Sequence, residues 1–432
     1  MRLIISLLLV VVVVGRVDNV SLCKSGHCVC RVNNKSEKED YGEIVDCSYY
    51  ARVLEENYEL PSSASSLDLS RNNITTVRPT LVLRSNSLAE LLLHDNSIHR
   101  IEIGALQLPA LKKLDLSNNH LTFIAKETFK QIKGLEYLNL AHNDFHALSA
   151  LSFHHLADLS EIILDDNHLG PSLRDRNLFD RNGYGLTHKI RSLSIRGIDL
   201  NTVPDNFFVD AYDVRKLIAS DNNISEIFEL PITLEYLDLS DNPIDDLSGE
   251  DFASVPGLRE LKLNNLSIAE IPDYAFASLP GVAAPGEKQE PARLQRGSRL
   301  STLSERLRLP LGQLVFLDLQ GNLWNCDCRL IWIKQLQIDD GSSEHFRCFT
   351  PKPLFNGKIT EIHNKYFVCP VERHLTGAVI GAVSACVLLT FIAAWIYVMV
   401  PKRHSKFNFI KNMHATTGYS LLPVHMPLSG GP

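Results

Sequence analysis

An eleven-residue template, L-x-x-L-x-L-x-x-N-x-L, returns along most of this chain and constrains its fold more than any other feature. It is plain in LAELLLHDNSI from Leu88, LKKLDLSNNHL from Leu111, LEYLNLAHNDF from Leu135 and LEYLDLSDNPI from Leu234. Ten copies begin at Ala64, Leu88, Leu111, Leu135, Leu159, Ile190, Val214, Leu234, Leu258 and Leu314, and all ten carry Leu or Ile at the fourth position. Six of the nine steps between them are 23 or 24 residues; the steps into Ile190 and Leu314 are long and the step into Leu234 is short. No single copy can bury its own leucines. Successive copies must therefore stack as turns of a coil, with their L-x-L cores side by side as short parallel strands. Each fully buried leucine then contributes about 1.5–3 kcal/mol.

A template of this length and period is the leucine-rich-repeat signature. It predicts an α/β solenoid with a parallel sheet on its concave side, occupying residues 61–324. The asparagine at position nine recurs at 72, 96, 119, 143, 167, 222, 242 and 322, where a buried amide can satisfy backbone groups of adjoining turns. Ile198 and Leu266 break that column. A second stripe, Phe129, Phe153, Phe208, Phe252 and Phe276, is expected to form an aromatic spine on the convex side. Residues 281–310, rich in Gly, Pro, Arg and Glu, depart from the pattern and form an irregular insertion.

The cysteines bracket the repeats. Four lie at 23, 28, 30 and 47, four at 326, 328, 348 and 369, and one at 386, with none in between. Two even sets of this kind predict disulfide caps at residues 16–60 and 325–370, made in an oxidising compartment. A wider spacing would be needed for structural zinc, so no metal or other cofactor is expected. Met1-Arg2 and the apolar run Leu3–Val14 have the form of a signal peptide, predicted to end after Gly15. The run 375–400 is 26 residues without a charge, long enough for one transmembrane helix. Lys402, Arg403 and Lys406 after it place the tail, 401–432, in the cytoplasm. The expected location is the plasma membrane, single-pass type I, with the repeats outside.

The flanks CKSGHCVC from Cys23, with Cys47, and NLWNCDCRLIWI from Asn322, with Cys348 and Cys369, resemble those of animal extracellular leucine-rich-repeat proteins. Residues 23–370 look like a Toll-like-receptor ectodomain without a signalling domain. The plan is also similar to the insect transmembrane leucine-rich immune proteins and to adhesion molecules of the connectin and capricious type. Spacing alone leaves three pairings open to each cysteine set. The resemblance implies Cys23 with Cys30, Cys28 with Cys47, Cys326 with Cys348, and Cys328 with Cys369.

Function is expected on the concave face, where residues flanking the strand leucines point into the hollow. The candidate ligand-binding set is Glu90, Leu92, His94, Asp95, Asp115, Tyr137, Asn139, His142, Glu161, Asp165, Asp166, Tyr236, Asp238 and Asp241. Acid outweighs base there, which favours a basic or polar protein partner. The net charge of −7 argues against nucleic acid. No H-E-x-x-H, G-x-S-x-G or phosphate-loop motif occurs, and no enzyme is expected. Sequons at Asn19, Asn34, Asn73, Asn223 and Asn265 predict glycosylation. Gly377, Gly381 and Ala385 fall on one helical face and offer a dimer contact. Tyr419 and Leu422 resemble a tyrosine-based sorting signal for a clathrin adaptor. These features together predict a cell-surface recognition receptor or co-receptor that binds a protein ligand and signals through a partner. The alternatives are homophilic or heterophilic cell adhesion, and an innate-immune pattern-recognition or decoy receptor.

Overall fold

The computed structural model describes residues 20–32, 42–50, 54, 58–174, 176–180, 184–268, 271–273, 275, 300–307, 322–336, 346–369 and 373–399. Residues 1–15, Asn19, Asn34, Phe276, the core of the copy at Leu314 and the tail with Tyr419 and Leu422 lie outside them. The chain divides into two units, 1–369 and 370–432.

One eleven-stranded sheet carries the first unit. Its strands are β1 (Val29–Val32), β2 (Glu43–Asp46), β3 (Ala64–Asp68), β4 (Glu90–Leu92), β5 (Lys113–Asp115), β6 (Tyr137–Asn139), β7 (Glu161–Ile163), β8 (Ser192–Ser194), β9 (Lys216–Ile218), β10 (Tyr236–Asp238) and β11 (Glu260–Lys262). The N-terminal cap contributes the antiparallel pair β1–β2, and from β2 onward each strand runs parallel to the next. Leu67, Leu91, Leu114, Leu138, Ile162, Leu193, Leu217, Leu237 and Leu261 form one row across the sheet, and none is more than 3% exposed. The repeating template thus becomes a single apolar column shared by all turns.

From β4 onward each strand is three residues long, and position eight of the template, where the chain turns away, takes a left-handed backbone. Positive φ occurs at Arg71, Asp95, Asn118, His142, Asp166, Gly197, Asp221, Asp241 and Asn265, one per copy. Asp, Asn and Gly dominate, as expected where a side chain meets steric cost unless it is short and polar. The next residue is the ladder asparagine. Asn119 donates through Nδ2 to the carbonyls of Leu116 and Ser117 in its own turn and of Leu93 in the turn before, and its Oδ1 accepts from Ile98 N–H at 2.9 Å. Asn96, Asn143, Asn167, Asn222 and Asn242 repeat the arrangement. Asn72 opens the column and has no earlier repeat to cap, so its Oδ1 has no hydrogen-bond partner. It reaches instead to the cap, donating to Cys47 O at 3.1 Å.

Where Ile198 interrupts the ladder, backbone takes over. Gly170 N–H donates to Ile198 O at 2.7 Å. A Cβ on Gly170 would lie 2.3 Å from the Asp199 carbonyl oxygen, so this contact requires glycine.

The structure corrects two expectations of architecture. The α/β class gives way to a β-solenoid: among the described residues 20–369, outside the main sheet, there are turns, 3-10 segments, two short parallel strand pairs (Val20–Ser21 with Tyr58–Glu59, Thr76–Val77 with Arg100–Ile101) and one α-helix, α1 (Gly170–Leu173). Short connections of about twenty residues leave room for turns but not for a helix per repeat. Residues 300–307, within the stretch expected to be irregular, are built into the coil. Leu300 and Leu303 are buried, and Leu300 N–H donates to Asn322 Oδ1 at 3.2 Å, the bond that other copies make from position eleven.

The convex spine holds Phe129, Phe153, Phe208 and Phe252, all buried, and widens into a cluster with Phe179 and Phe207. Disulfides join Cys23–Cys30 and Cys28–Cys47 at one end and Cys326–Cys348 and Cys328–Cys369 at the other, the pairs that the resemblance implies. In the C-terminal cap the fully buried Trp324 packs edge-on against Phe346, and Trp332 Nε1 donates to Leu303 O.

The second unit is described as one helix, α2 (Arg373–Met399), which carries Gly377, Gly381, Ala385 and Cys386. Its side chains are described over 383–396, and every one of them is exposed. No helix among the residues so described is long and apolar enough to cross a membrane.

Replacing Asn119 by Leu leaves one N–H and several carbonyls of two turns without partners. The expected loss is about 2–3 kcal/mol of unfolding free energy, read as a lowered urea midpoint; an unchanged midpoint would show that the ladder does not bind the turns together.

Candidate functional site

Two rows of side chains flank the buried leucines and face the hollow. One is Ser66, Glu90, Lys113, Tyr137, Glu161, Ser192, Lys216, Tyr236 and Glu260. The other is Asp68, Leu92, Asp115, Asn139, Ile163, Ser194, Ile218, Asp238 and Lys262. Strand alternation puts both rows on one side, and most of their members are half-buried.

Much of the acid on this face is already neutralised by neighbours. Lys113 Nζ lies 2.8 Å from Glu90 Oε1, while Ser66 Oγ donates to Glu90 Oε2 at 2.8 Å. Burial works to raise the Glu90 carboxyl, but these two bonds outweigh it and hold the group below its ordinary value. Arg196 is a clamp along the edge, with Nη1 3.2 Å from Asp166 and Nη2 2.8 Å from Asp221. His142 Nε2 approaches the same Asp166 oxygen at 3.2 Å. His94 pairs with Asp95, which Arg71 also approaches. Further along, Lys216 and Lys262 both sit over the Tyr236 ring, 5.2 and 4.7 Å from its centroid, and Lys262 pairs with Glu260. Asp241 accepts from Asn265 Nδ2 at 2.8 Å.

A different environment surrounds Tyr137. Asp115, Glu161 and Asp165 act on its hydroxyl, and among the described residues none of these three carboxylates has a side-chain cation within ion-pair distance. Asp115 is bonded to Ser117 and Asn139, and Asp165 Oδ1 accepts from the Arg196 backbone N–H at 2.9 Å. Burial pushes the Asp165 carboxyl above its ordinary value, and the adjacent Asp166 adds to the effect. Burial together with the same carboxylates raises the Tyr137 phenol to about 12. This patch therefore holds partly dehydrated negative charge with no cation in direct ion-pair contact among the described residues, an aromatic ring at its centre and Lys113 Nζ 5.4 Å from that ring's centroid.

Of the candidate residues, the structure brings Asp115, Tyr137, Asn139, Glu161 and Asp165 together. Glu90, His94, Asp95, His142 and Asp166 are engaged in pairs beside them. Leu92 is a half-buried apolar member of the face, and Tyr236, Asp238 and Asp241 belong to a separate cluster. Glu260, Lys262 and Arg196 were missing from the sequence set. The first two occupy positions three and five of the copy at Leu258, and Arg196 occupies position seven of the copy at Ile190. Both copies lack the ladder asparagine. Asn73, Asn223 and Asn265 are exposed. The one set of metal-type ligands among the described residues is Cys23, Cys30 and Glu43, in which the sulfurs are joined to each other.

Residues 109–169 match the family described as leucine rich repeat, and residues 231–253 match a second family of that description. This chain carries leucine-rich repeats. Its repeats are related to those of chaoptin from Tribolium castaneum, at 26% identity over 62% of this chain and 38% of that protein. Toll-like receptor 7 of Mus musculus matches at 27% over 56% of this chain and 20% of its own length, and Tsukushi of Mus musculus at 27% over 73% and 81%. The chain thus spans well under half of the first two relatives. Among solved leucine-rich-repeat structures it resembles a chain of the mouse RP105/MD-1 complex, with TM-score 0.58, 20% identity and coverage of 71% and 52%. It also resembles a chain of the octameric complex of Latrophilin 3, Unc5D and FLRT2, with TM-score 0.57, 19% identity and coverage of 79% and 99%. Those likenesses show the fold.

Because its folded value exceeds the ordinary one, the stability that neutral Tyr137 contributes is present below pH 10 and is lost as pH rises toward about 12. Asp115→Asn with Glu161→Gln should lower the pH midpoint of the highest-titrating phenol in an ultraviolet titration. An unmoved midpoint would show that the carboxylates do not act on the ring.

Proposed function

We propose that this chain is a cell-surface recognition receptor or co-receptor that binds a basic protein segment on its concave face and signals through a partner. The observation that carries the reading is the Tyr137 patch. Asp115, Glu161 and Asp165 cluster around one aromatic ring with no side-chain cation within ion-pair distance among the described residues, and burial makes the charged form of Asp165 less favourable. An incoming Arg or Lys would supply the missing charge, and the face of Tyr137 accepts a cation as well. The closeness of Lys113 to that ring is an internal example of the same contact.

Membrane anchorage belongs to the same proposal. Its support is the uncharged run 375–400 with basic residues directly after it, and a helix whose described side chains all face outward. Phe391, Ile392, Trp395 and Ile396 are exposed in that way, which water disfavours and hydrocarbon does not. Four disulfides fit an extracytoplasmic ectodomain. By name, Toll-like receptor 7 is a receptor, and the two structural neighbours are complexes with other proteins. These supply precedent for a binding role.

Cells displaying the whole chain should capture a secreted or cell-surface protein from an arrayed collection. Glu161→Lys and Asp165→Lys should each weaken that capture by at least about ten-fold, with a steep dependence on salt. Full capture by both variants would remove the concave patch from the interface, and clustering of displaying cells with one another would favour adhesion.

A further inference from the structure

We infer that the C-terminal cap rests on the lipid surface through an aromatic and basic face; this depends on the membrane anchorage proposed above. Cys369 is bonded to Cys328, which fixes the end of the cap, and the apolar helix begins four residues later at Arg373. Four residues, even fully extended, reach at most about 14 Å. The tether keeps the end of the cap within that distance of the start of the helix, and so near the headgroups if the helix spans the bilayer.

The chemistry of its surface suits that neighbour. Phe349 and Phe355 are 49% and 63% exposed and lie edge to face with ring centroids 6.0 Å apart, so they present one outward aromatic pair. Lys352 stands in the same turn, its carbonyl accepting from Phe355 N–H. Tyr366 and Val368, 52% and 69% exposed, come directly before Cys369, and Lys365 Nζ lies 4.9 Å from the Tyr366 ring centroid. Between 346 and 369 the bases are Arg347, Lys352, Lys358 and Lys365, against a single carboxylate, Glu361, which pairs with Lys358. Exposed Phe and Tyr among lysines are disfavoured in water, yet at a bilayer interface the rings enter the headgroup layer while the ammonium groups meet phosphate oxygens. The concave face of the repeats has the opposite, acidic character.

The test uses the full chain with Cys386→Ala, so that an added cysteine is the only free thiol beside four disulfides. Phe355→Cys, Lys352→Cys and Phe123→Cys are made separately, each carrying a polarity-sensitive fluorophore, in phosphatidylcholine nanodiscs. Phe123 is equally exposed, at 57%, but lies in the repeats. Phosphatidylcholine bearing a nitroxide on its headgroup should abolish most of the emission at 355 and 352 and leave that at 123 unchanged. Alkaline extraction of the chain from vesicles reads anchorage independently. If the chain resists extraction while all three labels keep their emission, the cap inference falls and anchorage stands. If the chain is extracted, both fall.

Discussion

The hydrogen bonds of the ladder asparagines set the pitch on which everything else in this solenoid depends. Leucine burial drives the turns together but is indifferent to small slips, since one leucine packs on another at many offsets. The amide of Asn119 is not indifferent. It must reach carbonyls of two successive turns and accept a third group's N–H, which happens at one spacing only. With that spacing fixed, three-residue strands are enough to keep register, and the rows of outward side chains acquire defined neighbours 20 to 31 residues away in sequence.

The departures from regularity show what the ladder supplies. At Ile198 the chain closes up on itself, bringing Gly170 against the Asp199 backbone, while Arg196 ties Asp166 to Asp221 across the outer edge. Backbone contact and a charged clamp there stand where one amide serves elsewhere. The clamp also removes two carboxylates from the pool available to a ligand.

The template alone made the coil, its strands and its inward leucines legible, because a period of 23 or 24 residues with apolar positions fixed within it admits few other solutions. The cysteine pairing came from likeness to other caps rather than from spacing. Three things were not legible. The α/β class implied helices between the strands, yet the short connections carry mostly turns. Leu300 belongs to the coil although the sequence around it has lost the template. The partners of Glu90, Asp166 and Glu260 depend on which residues stand side by side once the coils are stacked, so a count of acids along the sequence overstated the charge left open. Part of what survives that cancellation is gathered around Tyr137, where burial weakens the screening of charge by water.

The left-handed residue that ends each strand has an evolutionary consequence for the rim of the hollow. Four of the nine positions are Asp, two are Asn and one is Gly, and any residue outside that small set meets a steric cost of about 1–2 kcal/mol. Exchanges among Asp, Asn and Gly are therefore nearly free for the backbone, but every such exchange of Asp erases a negative charge. Arg71 and His142 are the two exceptions. Drift along this edge can thus bleach its acidity step by step with little harm to folding, whereas converting it to a basic rim would strain turn after turn.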